Sequence, residues 1–169
     1  MKWLMKILMA LVLLVPAQAW AFENEPNGFR DLYWGETLEE VQQNRETKYM
    51  GYSKENNSVT YAVRLNDSES HVLSNEPIYR RTFLAQFWNN KLWGITVFFK
   101  KDDSFDSLKS AMTILFGNPE DNLTSCAWLG DETMILLDKV DSNWKMCAVK
   151  LGSINLMMEI TNERIRQGW

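Results

Sequence analysis

Residues 78–101 read IYRRTFLAQFWNNKLWGITVFFKK, and the parity of their apolar positions decides the fold. Phe83, Ala85 and Phe87 alternate with polar or smaller neighbours, the period of a half-buried strand. Asn89-Asn90 follows, and Asn tolerates the positive φ of a two-residue hairpin turn. Such a turn pairs Phe87 with Leu92. Ile95, Val97 and Phe99 then fall on the opposite parity from Leu92. One extra residue at Trp93-Gly94, a β-bulge, returns all of them to one face. The stretch is predicted to be an antiparallel hairpin, bulged at Trp93-Gly94, whose apolar face needs a cover.

Helices on either side of the hairpin supply that cover. Trp34-Gly35-Glu36-Thr37-Leu38-Glu39-Glu40-Val41 carries a capping box, Thr37 with Glu40 three residues on. Leu38 and Val41 give a short amphipathic helix ending near Asn44, and Gly35 lets the chain turn into it. After the hairpin, Asp103 caps a second helix on which Phe105, Leu108, Ala111, Met112, Leu115 and Phe116 recur at helical spacing. Gly117 and Pro119 end it. Residues 46–57 read as a polar connection, and Val59, Tyr61, Val63 and Leu65 as a strand. Residues 66–77 read as a long loop. From residue 124 onward the spacing predicts strands over 124–128, 133–138, 144–151 and 154–160. The expected fold is one α+β domain: an antiparallel sheet with two helices packed on one face, in an order that suggests an α-βββ duplication.

The first 21 of the 169 residues have a different character. Lys2 and Lys6 precede the unbroken apolar run 7–15, Pro16 ends it, and Ala17-Gln18-Ala19 and Ala19-Trp20-Ala21 offer small-x-small cleavage patterns. This is the plan of a secretory signal peptide, so 22–169 is expected to be the mature domain, exported to the periplasm. The apolar run is shorter than the ~20 residues that span a bilayer, and no later segment is long enough, so no stable membrane insertion is expected. The leader takes two of the 18 basic residues and none of the 22 acidic ones, moving the formal charge from −4 to −6. An acidic domain without a basic stripe is a poor partner for nucleic acid. Arg80-Arg81 and Lys100-Lys101 flank strands, where charge protects an edge.

Cys126 and Cys147 both survive cleavage, and in an oxidising compartment a pair of cysteines favours a disulfide. A simple meander opposes it. First and third strands stand ~9.5 Å apart, whereas bridged Cα atoms lie within ~7 Å. Bridged and unbridged states both remain open on the sequence. Catalytic and metal chemistry find little support. His71 is the only histidine, in a polar loop beside Glu69 and Ser70, where a hydrolytic set has no rigid element to position it. No zinc spacing, phosphate loop or nucleophile elbow occurs, and no cofactor is implied. The methionines raise a soft-metal site, but Met157 and Met158, adjacent on a predicted strand, would point to opposite faces, and Met112, Met134 and Met146 sit where core filler is expected.

Six tryptophans follow residue 21. Most are expected to pack over helix faces and bulges. Trp88, at the hairpin tip, and the terminal Trp169 are the candidates for contact with a partner. The motif Trp34–Val41 opening a helix before antiparallel strands, with Leu115-Phe116-Gly117-Asn118-Pro119 closing a second one, resembles small exported bacterial α+β proteins. Among these are the β-lactamase-inhibitory-protein-like and outer-membrane-assembly small-lipoprotein folds. The resemblance implies binding of proteins rather than catalysis, and it assigns no site residue. The chain lacks the lipid-attachment Cys of the lipoproteins. The leading expectation is a non-enzymatic binding or accessory protein acting on another envelope protein. Its alternatives are a carrier of a small apolar ligand in a cavity lined by Phe83, Phe87, Ile95 and Met112, and a small hydrolase using His71.

Overall fold

The computed structural model describes residues 22, 24–65, 82–100, 105–121, 124–141 and 146–168. His71, Trp144, Trp169, Asp103, Arg80-Arg81, residues 1–21 (expected as a signal peptide) and residues 66–77 (expected as a loop) lie outside the described residues. Chain order is β1 (Gly28–Phe29), β2 (Leu32–Tyr33), α1 (Leu38–Asn44), β3 (Thr47–Ser53), β4 (Ser58–Arg64), β5 (Thr82–Trp88) and β6 (Lys91–Lys100). There follow α2 (Phe105–Phe116), β7 (Glu120–Asp121), β8 (Ser125–Leu129), β9 (Thr133–Asp141), β10 (Met146–Ser153) and α3 (Ile154–Arg166). Eight strands form one sheet in the order β3-β4-β5-β6-β10-β9-β8-β7, every neighbouring pair antiparallel, and β1 and β2 form a separate hairpin. The protein is thus a mixed α+β fold.

The β5–β6 hairpin has the register expected of its sequence. Asn89 and Asn90 take φ of 47° and 60°, and Phe87 faces Leu92 while Gln86 faces Gly94, leaving Trp93 as the extra residue. Phe83, Ala85, Phe87, Leu92, Ile95, Val97 and Phe99 all join the buried cluster. The backbone before α1 docks on the bulge. Gly35 N–H donates to Leu92 O (2.9 Å), and Leu92 N–H donates to Glu36 O (2.8 Å). Gly35 takes φ +88°, the left-handed turn that its sequence position requires. Both halves of the capping box form, Glu40 N–H to Thr37 Oγ1 (3.3 Å) and Thr37 N–H to Glu40 Oε2 (2.8 Å). Val41 of α1 and Phe105 and Met112 of α2 are buried in the same cluster as the strand residues.

Two differences from the sequence-based expectation shape the molecule, and the state of the cysteines, open on the sequence, is now visible. Residues 47–53 form a strand where a polar connection was expected. Their alternation is broken by Met50, an extra residue in the pairing with β4. As an edge strand, β3 needs no apolar residues on both sides. The second difference is the first half of α3, residues 154–160, expected as a strand. Ile154, Leu156, Met158 and Ile160 alternate, but Leu156 and Ile160 are also four apart, one helical stripe. Ser153 caps the helix, accepting from Leu156 N–H (3.4 Å), and Arg164 and Arg166 occupy its last turn. The fold therefore has three helices among its described residues, and Leu156 and Ile160 are buried apart from the main cluster. Of the two states left open for the cysteines, the structure has the unbridged one: no disulfide joins Cys126 and Cys147. Cys126 faces Leu137, which faces Val149, whereas Cys147 faces Lys139. The cysteines stand two strands apart, about 9.5 Å laterally, and are offset along the strands as well.

The segment before α1 is tied down by polar groups. The Glu25 carboxylate accepts from the backbone N–H groups of Asp131 (3.0 Å), Glu132 (2.6 Å) and Thr133 at the β8–β9 turn. Thr133 Oγ1 donates to Pro26 O and accepts from Trp34 Nε1 (2.7 Å). Phe29 packs edge-on against Phe83 with centroids 5.1 Å apart.

Candidate functional site

Helix α3 organises two concavities, one near each of its ends. Its first residue is held at the β8–β9 turn, Ile154 N–H donating to Glu132 O (2.8 Å). Near its other end, Arg164 Nη1 donates to Asn56 Oδ1 (3.5 Å), and Arg164 Nη2 lies 4.0 Å from Glu55 Oε1, both on the β3–β4 turn. Thirteen helical residues span about 20 Å. The four strand spacings from β9 to β4 come to about 19 Å. The helix thus crosses the strands at their hairpin end. Gly94 and Gly152 face each other in adjacent strands, and a Cβ on Gly152 would stand 3.0 Å from Met157 Sδ. The missing side chain at Gly152 makes room for the Met157 sulfur.

Beside the start of α3 runs an apolar groove of about 510 Å³, lined by Leu129, Met134, Ile154, Met157 and Met158 with Gly130, Thr161 and Asn162. Met157 and Met158 were expected on opposite faces of a strand. On a helix they line one groove, and Met134, expected in the core, joins them. Met158 is 53 % exposed and Ile165, two turns further on, 66 %. Thioether side chains are long and flexible and adapt to varied apolar partners.

Near the other end of α3 lies a smaller polar pocket of about 240 Å³ between the helix and the β3–β4 turn. Trp88 and Ile160 contribute its apolar surface, with Tyr52, Asn56, Asn57, Glu163, Arg164 and Gln167 among the residues around it. Tyr52 Oη donates to Asn57 Oδ1 (2.7 Å), and Gln167 Nε2 donates to Glu163 Oε1 (3.2 Å). Trp88, expected as an exposed contact at a hairpin tip, is instead 5 % exposed and lines this pocket. Sequence reasoning missed Met157, Met158 and Ile160 because residues 154–160 fit a strand; residues 161–169 fit a frayed turn or a short helix, and the structure makes 161–166 the end of α3. The Ser153 cap and the basic last turn were the signals available.

The other residues singled out in the sequence fall elsewhere. Trp34 and Trp128 are packing residues with satisfied N–H groups, the latter donating to Gly117 O (2.9 Å). Phe83, Phe87, Ile95 and Met112 lie in the buried cluster, and they line neither the apolar groove nor the polar pocket. Cys126 Sγ donates to Asp121 Oδ1 (3.2 Å). Burial, then this bond to a carboxylate, pushes the thiol up to about 11, which keeps it in the unreactive protonated form. The Asp121 carboxyl is held below its ordinary value, chiefly by its bond with Lys109, whose ammonium is raised in turn. Among the described residues no helix is long and apolar enough to cross a membrane.

Comparison of the chain with protein-family models, with curated proteins and with solved structures finds no match.

Proposed function

We propose that the chain is an exported, non-catalytic binding or accessory protein whose target is another protein of the bacterial envelope. The observation that carries this reading is the apolar strip formed by Leu129, Met158 and Ile165, all exposed, beside the Met134–Met157 groove. Exposed large apolar groups in one place mark interaction surfaces, and methionine suits a surface that must mould to a protein partner. Residues 1–21 supply the export signal in this reading. The order of elements lends support: α1 precedes the four-strand meander β3–β6, and α2 precedes the four-strand meander β7–β10. We read this as a duplicated unit with α1 and α2 on one face of the sheet, the plan of the protein-binding exported folds that the sequence resembles.

A second reading is favoured by the groove's size. About 510 Å³ of apolar-lined space falls within the roughly 300–1,000 Å³ of small-molecule sites, so carriage of a small apolar ligand would use the same groove. One pair of measurements separates the two. The doubly substituted M158E/I165E protein changes only half-exposed or exposed positions, so its fold should persist by circular dichroism. Under the leading reading, it no longer recovers from envelope extract the partner that the parent chain recovers. Recovery of that partner in equal yield would contradict the reading. An apolar molecule seen on the parent by native mass spectrometry, with no protein partner, would favour the carrier.

A further inference from the structure

Adjacency on a strand opposes a soft-metal site at Met157 and Met158; on α3 the same adjacency supports one. Both residues line the groove beside the start of the helix, together with Met134. Met134 and Gly152 are directly opposed in β9 and β10, so their side-chain positions share one face of the sheet. The Met157 sulfur stands 3.0 Å from where a Gly152 Cβ would be, and so takes the place of a side chain beside Met134. Opposed Cβ positions are about 4.5–5.5 Å apart, which puts the Met157 sulfur within about 8 Å of Met134 Cβ. The Met134 thioether and one bridging ion can close that gap. Met158, one position along the helix and 53 % exposed, has the side-chain freedom to swing in from the solvent side.

The donor set decides which ion it takes. A thioether is a soft, neutral ligand. Calcium and magnesium take several oxygen ligands, and zinc takes thiolate, imidazole or carboxylate. No histidine, cysteine, aspartate or glutamate is among the described residues that line the groove, where Thr161 and Asn162 are the polar members. Copper(I) is the ion that such sulfur ligands select. Its charge meets no lysine or arginine in that lining, and the Glu25 carboxylate lies against Gly130 at the groove's edge. Cys126 and Cys147, the softer ligands of the chain, are fully buried in the main cluster and do not line the groove.

We infer that Met134, Met157 and Met158 form a binding site for copper(I), with the three thioether sulfurs as ligands. The ion stays monovalent, so binding exchanges no electron, and thioethers release no proton when they bind it. This goes beyond the proposed protein partner and does not rest on it, since all three sulfurs belong to one chain and the ion binds without a partner.

The test follows the methionine ε-methyl resonances of the chain, labelled with ¹³C and assigned by Met→Leu variants, during titration with silver(I), a soft monovalent ion that is stable in air. The expected result is a shift of the Met134, Met157 and Met158 methyls that saturates near one equivalent. The methyls of Met50, exposed on β3, and of Met112, buried in the main cluster, should stay still. Copper(I), kept reduced with acetonitrile under nitrogen, should move the same three signals and zinc(II) none of them. Because no proton competes for a thioether, the affinity should be the same at pH 7 and pH 5, where a thiolate or imidazole site would weaken. Met134→Leu and Met157→Leu keep the apolar volume, and each should cost at least the roughly tenfold in affinity that loss of a ligand's supporting group costs. The inference is overturned if the Met134 and Met157 methyls do not move with silver(I), as when Cys126 or Cys147 takes the ion instead. It is equally overturned if Met50 shifts in parallel with them, if zinc(II) moves the same signals, or if Met134→Leu and Met157→Leu, folded by circular dichroism, bind as the parent does.

Discussion

Replacing Glu25 by alanine should be among the most damaging single changes outside the core. Its carboxylate accepts three backbone N–H groups, from Asp131, Glu132 and Thr133. The first two lie on exposed residues, where water replaces the carboxylate once it is gone, so each loss is worth about 0.5–1 kcal/mol, the net value of an ordinary hydrogen bond. Thr133 is fully buried, so its N–H is left without an acceptor, at a cost of about 1–3 kcal/mol. Removing Glu25 also relieves its repulsion with the neighbouring acidic side chains, but between exposed charges that relief stays below about 1 kcal/mol. The net loss is about 1–5 kcal/mol, centred near 3 kcal/mol. At roughly 2–4 °C per kcal/mol for a domain of this size, a loss near the centre of that range means that Glu25→Ala should lower Tm by roughly 6–12 °C in a calorimetric scan. Glu25→Gln keeps one acceptor oxygen and should fall between the two. A Glu25→Ala protein melting within about 1 °C of the parent, less than a kcal/mol on the same scale, would show that these bonds do not hold the N-terminal segment to the β8–β9 turn.

Asn90→Ala should cost about 1–2 kcal/mol, the penalty for holding a side chain other than Gly or Asn in the left-handed region. It also removes the side-chain bond that depresses the Glu39 carboxyl, so the Glu39 titration followed by NMR should move up; Asn90→Gly should remove the bond while sparing the turn, and an unmoved Glu39 in both would refute the link. Cys126 supplies a prediction at alkaline pH. Its folded value of about 11 lies above the ordinary 9.0, so the folded protein keeps its proton where the unfolded chain releases it. Stability from this group is complete below pH 9 and is lost as pH rises toward about 11. The pH dependence of urea midpoints across that window should be shallower in Cys126→Ala, and equal slopes would argue against the buried Cys126–Asp121 contact.

What the sequence made legible was structure with a local cause. The Asn89-Asn90 turn, the parity break at Trp93 and the Thr37–Glu40 box each fix a geometry within a few residues, and each has the expected form. What it hid depends on neighbours distant in the chain. Strand β3 carries Tyr49, Met50 and Tyr52 exposed, with Met50 extra in the pairing, and only its contact with β4 holds it extended. Residues 154–160 satisfy both periods, and the space above Gly152 favours a helix that can place Met157 there. Reading them as a strand removed the site from view. Both concavities are built on α3, and Trp88, chosen for exposure, owes its interest to a pocket wall that only the helix completes. The lateral spacing that opposed a Cys126–Cys147 bridge was sound, because it rests on sheet geometry.

The central claim, that the apolar face of α3 receives an envelope protein, is tested most directly by photo-cross-linking in living cells. A photoreactive phenylalanine analogue is placed at Met158 and, as a control, at exposed Gln43 on α1. The account predicts one discrete adduct with an envelope protein from position 158 and none from 43. Equal diffuse labelling from both positions, or no adduct from 158, would contradict it.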